Sequence, residues 1–158
     1  MPNSRLIGRC GLYCGACTIY RAYQDGRQFQ ELLAAKYNCQ PEQVRCEGCQ
    51  VLTESCWGYN CPIVACLRTH GYNFCYECAQ WAHRTCEKYA RIANSYAGRG
   101  EDVYANLLTI QAGHTDEWLQ EQEQRWRCTA CGQPSAAWDD RCRWCGAIKP
   151  NEGKKQAP

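Results

Sequence analysis

Phenylalanine occurs twice and methionine once in 158 residues, so the chain lacks two common fillers of a hydrophobic core. The longest continuous apolar run, Ile63 to Leu67, is far too short to cross a membrane. The opening Met1-Pro2-Asn3-Ser4-Arg5 carries no apolar signal core, which predicts a chain kept in the reducing cytoplasm. Catalytic signatures are missing as well. There is no Gly-x-x-x-x-Gly-Lys-Ser/Thr phosphate loop, no Gly-x-Ser-x-Gly elbow and no His-Glu-x-x-His. The adjacent carboxylates Glu101/Asp102, Asp116/Glu117 and Asp139/Asp140 fall at expected helix starts or in a polar loop, where capping or solvation accounts for them. These absences point away from an enzyme.

What the chain has is cysteine, sixteen of them. Ten form five Cys-x-x-Cys pairs: Cys14/Cys17, Cys46/Cys49, Cys75/Cys78, Cys128/Cys131 and Cys142/Cys145. Such a turn folds two sulfurs toward one point with backbone amides facing them, which suits two corners of a tetrahedral thiolate site. Disulfides are the alternative use of an even cysteine count, but a reducing compartment disfavours them. Ten tyrosines and six tryptophans supply much of the remaining apolar surface, leaving a thin core. Bound metal would supply the missing folding free energy, on the order of 10 kcal/mol per tetrathiolate site.

Cysteine distribution draws the organisation. Twelve lie between Cys10 and Cys86 and four between Cys128 and Cys145. In the gap, Val103, Leu107 and Ile110 recur at helical spacing, Gly113 is a stop, and Thr115 with Asp116 and Glu117 is a new start. The pattern predicts helix from about Ala79 to Tyr96, broken by Gly98-Arg99-Gly100. It also predicts two helical segments between Ala16 and Lys36 interrupted near Gly26, and a short helix bracketed by Pro62 and Gly71. The expected fold class is a small metal-rich α+β protein. A cysteine-rich, mostly helical module spans 1–97, a helical connector 98–125, a C-terminal β zinc ribbon 126–148 and a disordered tail 149–158.

The ribbon expectation rests on Trp126-Arg127-Cys128-Thr129-Ala130-Cys131-Gly132 and Cys142-Arg143-Trp144-Cys145-Gly146. Each knuckle ends in glycine, which relieves the backbone where it turns under the sulfurs. Cys128, Cys131, Cys142 and Cys145 without a fifth donor make a closed structural zinc site. The spacing also resembles the Ran-binding-protein type of finger, some of which bind single-stranded RNA or ubiquitin. Ser135 stands where that family has asparagine.

Further upstream, Cys10-Gly11-Leu12-Tyr13-Cys14-Gly15-Ala16-Cys17 has the cysteine spacing of radical-SAM cluster loops, but the chain lacks room for their barrel. The order of elements says more. That segment, then Cys46-Glu47-Gly48-Cys49, Cys61-Pro62-Ile63-Val64-Ala65-Cys66, Phe74-Cys75-Tyr76-Glu77-Cys78 and Cys86, resembles the cysteine-rich prokaryotic domain-of-unknown-function family 3795, the CGLxCxxC proteins. Some members continue through a helix like Glu117 to Gln122 into a C-terminal ribbon. The resemblance implies metal binding by Cys10, Cys14, Cys17, Cys46, Cys49, Cys61, Cys66, Cys75, Cys78 and Cys86, and it brings no catalytic activity. Cys39 and Cys56 are additions to the pattern. His70 and His83 lie near Cys66 and Cys86, and we leave them out of the ligand set.

Zinc suits four thiolates, and three or four zinc ions per chain are expected; an iron–sulfur cluster is the alternative for the N-terminal module. The Cys61-Pro62 step faintly echoes the Cys-Pro that closes ferredoxin motifs. Charge bears on the partner. Residues 125–158 hold seven Lys/Arg against three Asp/Glu, whereas residues 1–124 hold eleven against thirteen. Thiolate-bound zinc makes both parts more negative, so any phosphate-binding face falls on the C-terminal part. Arg127, Arg141, Arg143 and Trp144 are its candidate partner contacts. The functional expectation is a zinc-binding, non-catalytic interaction or scaffold protein of the prokaryotic cytosol, with a protein partner. The alternatives are an iron–sulfur electron carrier or redox sensor, and an RNA-binding protein.

Overall fold

The computed structural model describes residues 2–150. Seven α-helices are formed among them: α1 Thr18–Asp25, α2 Arg27–Tyr37, α3 Pro62–His70, α4 Ala79–Ala82, α5 Glu87–Ala97, α6 Val103–Gln111 and α7 Thr115–Arg125. Short 3-10 turns link them, including Cys14–Ala16, Cys49–Val51 and Cys75–Glu77, each starting on a cysteine.

Local chemistry sets the helix limits. Gly26, at φ 130°, separates α1 from α2 where few other residues can follow the chain. Pro62 opens α3, where its missing N–H costs nothing, and Gly71 closes it in the left-handed region. The Asp102 side chain accepts from the Ala105 amide and so caps α6. The helix expected from Ala79 to Tyr96 is two helices. The chain turns at His83–Cys86, with Arg84 at φ 56°, and α5 restarts from Cys86 as its N-cap.

With so little phenylalanine, aromatic hydroxyl and indole rings fill the centre. Trp81, Tyr89 and Tyr104 pack edge to face or tilted, with centroids 4.6–6.0 Å apart. The Tyr89 hydroxyl lies 2.8 Å from the Cys10 carbonyl and 2.9 Å from the Val103 carbonyl. Burial pushes its ionisation well above the ordinary tyrosine range, so it stays a neutral donor. This tyrosine joins α5, α6 and the first cysteine loop. Glu101 is fully buried nearby. Its carboxylate takes a hydrogen bond from Asn106 and an ion-pair contact of 3.0 Å from Arg125, while burial raises its pKa against the pull of that arginine.

The α+β expectation is corrected. The fold is helical, and no strand or sheet is present among the described residues; only isolated bridges occur, Ile7 with Tyr13, Arg127 with Pro134 and Arg141 with Ile148. The C-terminal segment is therefore a pair of knuckles and not a β ribbon. Each knuckle closes on one bridge, and Pro134 and Pro150 lack the N–H that a longer ladder needs. After Pro134 the backbone turns to other partners: Ser135 N–H donates to Trp126, and Ala137 N–H donates to Ala16 in the N-terminal module. No helix among the described residues is long and apolar enough to cross a membrane. The expected disordered tail lies, from residue 151 onward, outside the described residues.

Candidate metal centre

The two C-terminal knuckles are wired alike. Cys128 N–H donates to Gln133 and Gly132 N–H to Cys128, each at 2.8 Å; Cys142 N–H donates to Ala147 at 2.8 Å and Gly146 N–H to Cys142 at 2.9 Å. Gly132 and Gly146 sit at φ 72° and 75°, the left-handed turn that this wiring requires. Arg127 and Arg141, one residue before each first cysteine, donate to the carbonyls of Gly132 and Gly146 at 3.1 and 3.5 Å.

The four sulfurs of Cys128, Cys131, Cys142 and Cys145 all lie within 4.8 Å of one another. Cys128 and Cys145 are 3.8 Å apart, Cys131 and Cys142 3.6 Å. Zn–S bonds of about 2.3 Å in a tetrahedron put sulfurs about 3.8 Å apart, so the donor set fits a tetrathiolate metal ion. Backbone amides of Cys131 and Ala130 point at the Cys128 sulfur and bring its pKa down to about 6. The Trp144 amide similarly faces the Cys142 sulfur at 3.4 Å. A metal would meet a thiolate already favoured by its surroundings. Cys128 and Cys142 are buried while Cys131 and Cys145 are exposed, so the site opens on solvent along one edge.

The expected partner contacts divide. Arg127 pairs with Glu123 at 2.7 Å besides holding its knuckle carbonyl, and Arg141 stays at the surface. Arg143 turns inward. Its guanidinium lies 2.8 Å from Asp139 and 3.4 Å from Asp25 of α1, with side-chain exposures of only 11% for Arg143 and 4% for Asp25. It also covers the ring of Phe29 at 5.0 Å. Trp144 packs on the same Phe29, centroids 5.3 Å apart, yet remains 42% exposed. Replacing Trp144 with alanine should therefore cost about 1–2 kcal/mol in chemical denaturation, from one half-buried aromatic pair. A loss above about 3 kcal/mol would place the ring in the core.

None of the sixteen cysteines is paired in a disulfide. In the N-terminal module they form two neighbourhoods. Cys49 is common to the first: its charge pushes up the pKa of Cys10, Cys14, Cys17 and Cys46. Interaction with the neighbouring Cys14 thiol, with help from the Arg9 amide, holds the Cys49 thiol down at about 7, whereas burial pushes Cys10 up to about 12 and Cys46 up to about 11. Cys61 lies in the same neighbourhood, acting on Cys10 and Cys17. Cys75 centres the second, beside Cys66, Cys78, Cys86 and Cys10. Of the additions, Cys56 is buried beside Cys46, and Cys39 follows the C-terminus of α2. His70 bonds back to the Cys66 carbonyl at 2.8 Å, and His83 is exposed at the end of α4.

Sequence reasoning missed Arg9. Its N–H faces the Cys49 sulfur at 3.5 Å while its side chain bonds the Cys49 carbonyl and Asn73, stitching three cysteine turns together. No periodicity or motif marks it, because its partners are forty and more residues away.

Comparison with curated proteins and with solved structures gave no match. The four-thiol C-terminal site lies beyond the stretch that a family model recognises. Through residues 6–91, which hold every N-terminal cysteine, the chain belongs to the family described as Protein of unknown function (DUF3795).

Proposed function

We propose that the C-terminal knuckles bind zinc in a closed structural site, and that the chain is a non-catalytic interaction or scaffold protein of the prokaryotic cytosol. The observation that carries this reading is the convergence of four sulfurs within 4.8 Å. Four thiolates complete a tetrahedron and leave no position for water or substrate, which is the arrangement of a structural zinc rather than a catalytic one. The site then acts on architecture. Zinc holds the second knuckle in the shape that presents Arg143 and Trp144 to α1 and α2.

A protein is the partner this surface suits better than RNA. Arg127 and Arg141 spend N–H groups on knuckle carbonyls, and Arg143 is committed to Asp25 and Asp139. RNA affinity draws chiefly on cations free to meet phosphate.

Elemental analysis of gently purified protein tests the metal. The Cys128→Ser variant should carry one zinc fewer per chain than the parent, and equal zinc in the two would refute the site. Titration of a fluorescent single-stranded RNA near physiological salt should give no saturable binding. Saturable binding lost in an Arg127→Ala, Arg141→Ala double variant would put RNA in place of the protein partner.

A further inference from the structure

We infer that the C-terminal thiolate site is also a site of oxidation: a two-electron oxidant of the peroxide class converts its cysteines to disulfides, expels the metal and unlatches the second knuckle from α1 and α2. The inference deepens the zinc reading above and rests on it.

Access selects the site. Cys131 and Cys145 are exposed, whereas every other cysteine of the chain is buried or partly buried. An oxidant arriving from solvent therefore meets these two sulfurs first, and exposure together with thiolate character sets susceptibility to oxidation. Each has a partner in place. Cys142 lies 3.6 Å from Cys131, and Cys128 lies 3.8 Å from Cys145, sulfur to sulfur. A disulfide bond is about 2.05 Å long, so either pair closes through a shift of less than about 2 Å.

The electrons balance within one pair. The Cys131 thiolate attacks one oxygen of the peroxide, the O–O bond breaks, and the departing hydroxide takes up a proton to leave as water. Cys142 then attacks the sulfenic acid so formed; an S–S bond replaces the S–O bond, and a second hydroxide leaves as water. Two thiolates have given two electrons, and one hydrogen peroxide has become two waters. Cys145 and Cys128 repeat the exchange with a second peroxide. Oxidation of the first pair already removes two of the four donors that complete the tetrahedron, and the metal goes with them.

The position of the latch turns this loss into a structural event. Arg143 and Trp144 lie between Cys142 and Cys145, so the residues that dock the second knuckle are suspended between two ligands. Arg143 reaches Asp25 of α1 at 3.4 Å, and Trp144 packs on Phe29 of α2. The Trp144 amide faces the Cys142 sulfur at 3.4 Å, and drawing that sulfur toward Cys131 moves the turn that carries both side chains. The bridge of this knuckle, Arg141 with Ile148, lies outside the turn and does not hold it. Asp25 keeps Arg21 at 2.5 Å, so the latch can open without leaving that carboxylate wholly unpaired.

The test is trypsin cleavage of the Arg143–Trp144 bond, read by mass, in full-length zinc-loaded protein before and after hydrogen peroxide. While latched, the Arg143 side chain is only 11% exposed. Peroxide should release one zinc per chain more from the parent than from Cys128→Ser, and peptide mapping should find disulfides among Cys128, Cys131, Cys142 and Cys145. Cleavage after Arg143 should become at least about tenfold faster, as the local opening that proteolysis needs becomes common. A thiol reductant with added zinc should restore resistance. Zinc bound at these cysteines but not released by peroxide overturns the inference alone, as does zinc released with cleavage unchanged. Absence of that zinc before oxidation would refute the zinc reading, and the inference with it. Asp25→Asn leaves every sulfur in place, and it should open the same bond to trypsin with zinc bound and no oxidant. Unchanged resistance in that variant, with helical circular dichroism intact, would remove the latch.

Discussion

Cys142→Ser should release one metal ion, disorder residues 126–148 and lower the thermal midpoint of the remaining chain by several degrees. A structural tetrathiolate site contributes on the order of 10 kcal/mol, comparable with the whole stability of a typical domain at about 5–15 kcal/mol. The knuckles have no strand ladder to hold them in its place. Their loss reaches further than their own fold because they are docked. Ala137 N–H donates to the Ala16 carbonyl at 2.8 Å, inside the Cys14–Cys17 turn, and Trp138 packs on Tyr96 at 5.8 Å with Arg99 stacked over it at 4.4 Å. Asp25 would lose Arg143 and keep only Arg21, at 2.5 Å, to balance a buried charge. An incompletely paired buried carboxylate destabilises the native state. Circular dichroism melts with parallel metal analysis measure both effects. We keep the boundary at residue 126 as a proposal: the N-terminal metals should stay bound in this variant, at a lower midpoint. An unchanged midpoint would show that the docking contributes nothing, and loss of every metal would show one cooperative unit.

Gly11→Ala should destabilise by on the order of 4 kcal/mol or leave no folded protein, an effect in the rare upper range for a single methyl group. Gly11 lies directly after Cys10 with φ 91°, where a side chain is strained whatever the space. Space is lacking too. A Cβ would stand 2.4 Å from the Val103 carbonyl oxygen and 2.9 Å from Leu107 Cγ. The carbonyl cannot give way cheaply, since Tyr89 bonds it at 2.9 Å, and the Gly11 carbonyl is itself held by Asn106 at 2.9 Å. Gly113→Ala is the control. It has the same φ of 91° but nothing within 4 Å, so it should cost only about 1–2 kcal/mol, the price of the left-handed conformation alone. Similar losses for the two variants in urea denaturation would refute the packing argument.

The glycine comparison shows why the same residue type reads differently from sequence and from structure. Gly113 announces itself as a helix stop between an apolar repeat and the new start at Thr115, and the structure ends α6 beside it and begins α7 at Thr115. Gly11 reads only as part of a cysteine motif. Its necessity comes from α6, ninety residues later, lying against it.

The local sequence by itself determined the helix limits at Gly26, Pro62, Gly71 and Gly113, because capping, proline and left-handed turns act within a few residues. It also determined the C-terminal four-cysteine set, whose ligands span eighteen residues between two glycine-ended knuckles. Only the tertiary structure decided the rest. Pro134 and the docking of Ala137 left the knuckles without strands, and Asp25, more than a hundred residues away, turned Arg143 inward. The joining of the N-terminal cysteine turns by Arg9, Gln50 and Tyr89 likewise links positions forty and more residues apart. Contacts between positions so far apart leave no period or spacing in the chain, so physical proximity had to be seen in three dimensions.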